Sequence, residues 1–372
     1  KKRVIMKTYR PMFTVILAVF VLLTLFTSQL QALPRYSAKY KQSCSLCHQN
    51  PTGGGMRNLY GAQFFSYTEL PVKPMEDLSQ LDKINPMLNK NVQVGFDFRT
   101  IYWKSDDELV GNSFLAMHGD LYMAFSPSER MTVYIEKGIH SAFEAFALLK
   151  KLPMSGTLKA GRFIPAYGWR FVDHKSFVRD FLGFSQYPDF GPRLVEDTGL
   201  ELGFYPEKWE AVFGLTNGGS GPIDYDKGKA FTARVLKRLA IGDLQLTFGG
   251  SYRYGEFGSD DPLLRYGGGL WGLNYQNLSY VGETDWLIKP DVTGMVNTHQ
   301  LSYRVHPGWD MILGWDQYNS DIDDENITPF WRGKISSEIF LTGYLELIPA
   351  FYWHEYDGKE YGTGEIQLHV WY

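Results

Sequence analysis

From residue 92 onward, apolar and polar residues alternate with a period of two through most of the chain. In VQVGFDFRTIYW, Val92, Val94, Phe96, Phe98 and Tyr102 fall on one side while Gln93, Asp97 and Arg99 fall on the other. In FLAMHGDLYMAF, Leu115, Met117, Leu121 and Met123 alternate with His118 and Asp120. This is the pattern of strands with one apolar and one polar face. Comparable stretches recur near 131–139, 143–150, 157–165, 198–206, 208–216, 229–239, 243–256 and 266–276. Others follow near 278–288, 292–305, 308–319, 328–341, 343–354 and 362–372. The total is about 16 strands, an even number within the range of membrane barrels, whose staves set an apolar outside against a polar lumen.

The connections between these stretches alternate in length. SPSER, KLPMS, YPEK, AIGD, QNLS, HPGW and FLTG are short and rich in turn residues. KSDDELVGN, NGGSGPIDYDKG, EFGSDDPLLR, NSDIDDENITP and EYDGKEYG are longer or more polar, and GIHS is the one short member of that set. Short turns on one side and long loops on the other are what an outer-membrane barrel requires. The third long connection, residues 165–197, exceeds the rest, and loops of such length in a compact fold usually have a function. It brings Arg170, Asp173, His174, Lys175, Arg179, Asp180, Arg193, Glu196 and Asp197 close together, with Arg162 just before it. That mixture suits a constriction folded into a water-filled lumen, and equally a salt-bridged surface loop.

Composition agrees with a barrel. The chain holds 24 Tyr, 25 Phe, 10 Trp and 38 Gly, yet its mean hydropathy is −0.25. Its net charge of −4 and the lack of a clustered Lys/Arg stripe in the mature part give no basic field for nucleic acid. The start is different: Lys1, Lys2, Arg3, Lys7 and Arg10 precede the apolar run FTVILAVFVLLTLF, and Ala32 offers a small residue for cleavage. A run of about 14 apolar residues suits a signal peptide and is shorter than a membrane span. The expected organisation is a signal peptide over 1–32, a small segment over 33–90 with short helices or little regular structure, and an all-β antiparallel barrel over 91–372. The expected location is the outer membrane of a Gram-negative-type bacterium, with the N-terminus periplasmic or in the lumen and outer-membrane lipid around the staves.

The segment over 33–90 contains both cysteines of the chain, in CSLCH at 44–48. A disulfide between Cys44 and Cys47 would close a loop too small to add much stability. A structural zinc site needs further ligands that CSLCHQNPTGGG does not supply, and thiol redox motifs usually sit in a βαβ context, which is missing. Cys-x-x-Cys-His is the attachment pattern of c-type haem: two thiols add to the porphyrin vinyl groups, and the adjacent histidine binds iron. The expectation is one haem c on Cys44 and Cys47 with His48 as proximal ligand. Met56 is the nearest candidate for the other axial position; Met75, Met87, His118 and His174 lie farther along the chain. The segment is short for a free-standing cytochrome, so it is expected in the barrel mouth or lumen as a plug.

A signal peptide, one Cys-x-x-Cys-His near the mature start and an even-stranded barrel ending in the aromatic EIQLHVWY together resemble the fused monohaem cytochrome–porins, whose best-known members are outer-membrane iron oxidases. CSLCHQNP carries the haem part of the resemblance and YGAQFF the aromatic part, while TGGGMRN is inserted between them. The resemblance implies electron transfer through the haem between an extracellular donor or acceptor, such as ferrous iron, and a periplasmic soluble cytochrome. The alternative is a diffusion porin for small solutes with a haem-containing plug or sensor segment.

Overall fold

The computed structural model describes residues 36, 42–106, 111–138, 143–170, 196–218, 228–255, 264–289, 291–356 and 358–372. The expected signal peptide over 1–32 lies outside them. Alternation becomes seventeen strands in chain order: β1 Met87–Asn89, β2 Val92–Ser105, β3 Asn112–Ser128, β4 Met131–Gly138, β5 Phe143–Leu152 and β6 Gly156–Phe163. They continue with β7 Asp197–Phe204, β8 Trp209–Thr216, β9 Ala230–Ile241, β10 Leu244–Gly255, β11 Leu264–Tyr275 and β12 Leu278–Ile288. The last five are β13 Thr293–His306, β14 Trp309–Asn319, β15 Phe330–Thr342, β16 Leu345–Tyr356 and β17 Lys359–Trp371.

Strands β2 to β17 pair with their neighbours, all antiparallel, and β17 returns to β2 from Thr363↔Ser105 to Trp371↔Asp97. The result is a closed barrel of sixteen strands, as the alternation predicted. Closure leaves no unpaired edge, which is the condition for strands to cross a bilayer. The short β1 pairs with the start of β2 and was not visible in the pattern.

All seven predicted short turns join the hairpins to which they were assigned. Outward positions include Phe98, Leu121, Leu215, Phe248, Phe351 and Ile366, all exposed. Exposed aromatics ring both ends, with Tyr275, Trp309 and Tyr344 near the short turns and Trp286, Tyr254 and Tyr356 near the long loops. An apolar band between two aromatic girdles is the exterior of a transmembrane barrel.

One detail departs from simple alternation. The β2–β3 register slips between Arg99↔His118 and Thr100↔Ala116, so Met117 has no partner. A bulge of this kind rephases the strand, so Leu115 and Leu121 do not belong to one uninterrupted run of alternation.

Candidate functional site

The segment after residue 42 lies inside the barrel. After a 3-10 turn over Cys44–Leu46, residues 47–49 and 56–58 pair as a short antiparallel ribbon: Gln49 N donates to Met56 O at 3.0 Å, Asn58 N donates to Cys47 O at 2.9 Å, and His48 faces Arg57. Between the two limbs, Gly53, Gly54 and Gly55 have φ of +91°, +74° and +58°, a left-handed run that glycine adopts without steric cost. Tyr60–Phe65 then winds as a π-helix into Ser66–Thr68.

The barrel wall grips this ribbon on three sides. At the β2–β17 seam, Gln49 Nε2 donates to Gln93 Oε1 and Gln93 Nε2 donates to Arg57 O, each at 2.8 Å. The Arg57 guanidinium lies 4.4 Å from the centre of the Trp371 ring, a cation–π contact. Across β3 to β6, Met56 packs with Tyr122, Tyr134, Phe146, Leu148 and Phe163, and its N–H donates to Tyr134 Oη at 3.0 Å. Lys159, 1% exposed on β6, donates to Glu201 Oε1 at 2.5 Å and to Thr52 Oγ1 at 3.3 Å. At the short-turn end, Phe65 and Leu70 pack on Phe340 and Trp371, and Val72 N donates to Phe340 O at 2.9 Å. A Cβ on Gly308 would stand 2.2 Å from Val72 N, so the β13–β14 turn needs glycine for contact as well as for its φ of +73°.

The third long connection also enters the lumen at its start. Tyr167 Oη donates to Asp285 Oδ1 at 2.7 Å, Gly168 N to Ser251 Oγ at 2.9 Å and Trp169 N to Glu283 Oε2 at 2.9 Å. The chain thus crosses from β6 to β10 and β12. Arg170 then joins the two inserted elements, donating to Gly53 O at 2.5 Å and to Glu144 Oε1 at 3.1 Å. Of the predicted constriction residues, Arg162 pairs with Glu196 at 3.7 Å and Asp197 with Arg253 at 3.5 Å. Asp173, His174, Lys175, Arg179, Asp180 and Arg193 lie outside the described residues.

Together these insertions contact the inner wall from β3 to β12 and reach β15 and β17 at the short-turn end. Inward charges from β4 to β12 are buried, including Glu136, Glu144, Glu201, Glu210, Arg253 and Asp285. From β13 to β17, Arg304, Asp310, Asp316, Glu338 and Glu346 are buried too, while Gln300, Arg332, Lys334, His354 and Glu365 keep partial exposure.

Within CSLCH, His48 N donates to Cys44 O at 3.0 Å, which turns both thiols and the imidazole around one short coil. The thiols are not joined. Burial raises the Cys47 thiol to about 11, with Arg57 opposing, and burial also raises Cys44, with Glu210 adding to it. Reactive thiols have depressed values, so this setting argues against thiol redox chemistry. Burial pushes His48 down to about 4, with Arg57 and Arg170 adding to the effect. The ring is therefore neutral at neutral pH, the form that ligates metals. Its Nδ1 is buried with no hydrogen-bond partner. Two unjoined thiols and a neutral imidazole with an unsatisfied nitrogen fit the donor set of haem c. Met56 does not accompany them: it occupies the opposite face of the ribbon from His48, 1% exposed among the wall aromatics. Pairing alternation decides this, and no signal in the sequence announced it. Among the described residues, no group of three His, Cys, Asp or Glu side chains is placed to hold a metal ion.

No protein-family model and no curated protein matches the chain. Solved structures do match in fold. OprB of Pseudomonas putida is similar at 10% identity and a TM-score of 0.56, over 82% of this chain and all of that one. OmpT of Vibrio cholerae is similar at 9% identity and 0.54, over 77% of this chain and all of that one. An anion-selective porin from Comamonas acidovorans is similar at 11% identity and 0.54, over 76% of this chain and 99% of that one.

Proposed function

We propose that the protein is an outer-membrane, porin-type barrel that passes small hydrophilic solutes past the partly exposed polar side chains of β13 to β17, with the N-terminal plug setting the width. The observation that carries this is a set of inward polar side chains on β13 to β17, Gln300, Arg332, Lys334, His354 and Glu365, that stay partly exposed beside the plug. The porin likeness of the fold and the apolar exterior support the location, with the short turns in the periplasm. Reconstituted protein is expected to make liposomes permeable to small sugars. Lys334→Glu, which reverses one inward charge on that side, is expected to shift channel selectivity toward cations in planar bilayers. Liposomes that stay sealed, or a selectivity unmoved by the reversal, would overturn the reading.

A second reading is favoured by the position of CSLCH within the lumen. Bound there, a haem c on Cys44 and Cys47 would supply a one-electron carrier within the wall that separates two compartments. Cys44 and Cys47 would anchor it, His48 would present a neutral imidazole to its iron, and the wall contacts of Gln49, Thr52 and Arg57 would hold the segment still. The partners would be an extracellular donor or acceptor and a periplasmic soluble cytochrome. Purified protein is expected to give a haem-stained band after denaturing electrophoresis that Cys44→Ala/Cys47→Ala abolishes, and ferrous iron mixed with the oxidised protein is expected to reduce it in stopped flow. A stained protein that iron leaves oxidised keeps the cofactor and removes iron as the donor.

A further inference from the structure

Two carboxyl groups meet beneath the glycine turn of the plug. Glu136 on β4 and Glu144 on β5 are direct cross-strand partners, which sets their Cβ atoms about 5 Å apart. They are 8% and 2% exposed. Tyr134 Oη donates to Glu136 Oε2 at 2.6 Å, and Arg170 Nη2 donates to Glu144 Oε1 at 3.1 Å. The other oxygen of Glu144, Oε2, is buried with no hydrogen-bond partner.

Among the described residues, the groups around this pair leave it one positive charge. Asp120 and His118 of β3 pair with each other at 2.6 Å, Lys159 of β6 pairs with Glu201, and Glu196 of the third connection pairs with Arg162. Tyr122 of β3 and Tyr134 are phenols, neutral over the carboxylate range. The part of the plug above the pair is Gly53 to Met56, which carries no charge. Arg170 is the remaining cation, and it answers one acid. With both acids ionised, a negative charge would stay buried without a counter-charge, whereas one proton between them removes the excess and gives Glu144 Oε2 a partner.

The groups that hold the pair also seat the plug. Arg170 donates to Gly53 O while it holds Glu144, and Tyr134 accepts from Met56 N while it donates to Glu136. We propose that Glu136 and Glu144 keep one proton between them while the plug is seated, and that loss of this proton unseats the plug and widens the lumen. This rests on the reading of the plug as the element that sets the width. With the plug withdrawn, water reaches both acids and each ionises in the ordinary carboxylate range, near about pH 4–5. The seated form therefore binds one proton more, is favoured at low pH and weakens as pH rises, by up to about tenfold per unit.

The test follows two readouts on the full chain between about pH 5 and pH 9: cleavage of residues 42–86 in limited proteolysis, corrected at each pH with an unfolded substrate, and conductance in planar bilayers. Both are expected to rise with pH in wild type. Glu136→Gln, whose amide keeps an acceptor for Tyr134 and can donate to Glu144, is expected to hold both at their low-pH level throughout; Glu144→Gln serves if that variant does not assemble. Glu338→Gln, at another buried lumenal acid on β15, is expected to keep the wild-type rise. No rise in wild type, or a rise that persists in the Glu136 and Glu144 variants, overturns the proposal. If EDTA raises conductance at neutral pH, a metal ion joins the two acids in place of the proton and the proposal fails. Membranes that stay sealed while cleavage follows pH overturn the porin reading and keep the proton-dependent seat.

Discussion

Lys159→Met is expected to release the plug from the wall while the barrel stays closed. Lys159 Nζ is pinned between Glu201 and Thr52, above the rings of Phe146 and Phe163 at 5.2 and 4.8 Å. Glu201 also accepts from Ala166 N at 3.1 Å, so one ion pair anchors the plug and the base of the third connection. Removing the lysine leaves Glu201 charged, buried and unpaired, a change that costs about 3–5 kcal/mol when one partner of a buried pair is lost. Methionine keeps the volume, which confines the effect to charge. The continuous hydrogen-bonded ladder of the sixteen strands does not depend on this contact, so the loss falls on the inserted elements. Protease sites in residues 42–86 are expected to open and channel conductance to rise, while the heat-dependent mobility shift of a folded barrel in electrophoresis persists. Lys159→Met/Glu201→Leu is expected to recover part of the protection, since an apolar pair leaves no orphan charge. Unchanged proteolysis and conductance in the single variant would show that the pair does not hold the plug.

Gly55→Val is expected to have a comparable effect by a different route. The position has φ of +58°, and its Cβ would stand 2.3 Å from Tyr134 Oη and 2.6 Å from Glu136 Oε2. A left-handed conformation costs an L-residue about 1–2 kcal/mol, and more for a branched one. The overlap adds to this because Tyr134 is fixed by Phe146, stacked at 4.9 Å, and by donation to Glu136 at 2.6 Å. The ribbon must therefore move, and the bond from Met56 N to Tyr134 Oη goes with it. Limited proteolysis is expected to show cleavage near residue 55, with Gly55→Ala intermediate. If valine at this site leaves the ribbon protected, the wall is softer than these distances indicate.

The barrel was legible because its signal is local. Alternation, turn residues and an even count are properties of stretches of about ten residues, and they placed sixteen staves and seven short turns. The bulge at Met117 escaped because a single unpaired residue leaves alternation intact on either side of it. The third connection was legible as unusual, and its first residues do run inward. The grip on the plug was not legible, since its contacts join residues such as Thr52 and Lys159, or Gly53 and Arg170, which are 107 and 117 positions apart. The cysteines and His48 were singled out by spacing alone. The facing pair of Glu136 and Glu144 gave no such sign, because inward charges on alternating strands are what any water-filled barrel displays. The opposed faces of His48 and Met56 were hidden for a related reason: nearness along the chain says nothing about which side of a ribbon a side chain takes.

The seam between β2 and β17 also has a kinetic meaning. Arg57 rests on Trp371, the last residue of β17, while its carbonyl is held by Gln93 of β2. That binding surface exists only once the two ends of the sheet have met. The N-terminal segment can therefore complete its docking only after the barrel has closed, and the plug acts as a latch that records a finished barrel.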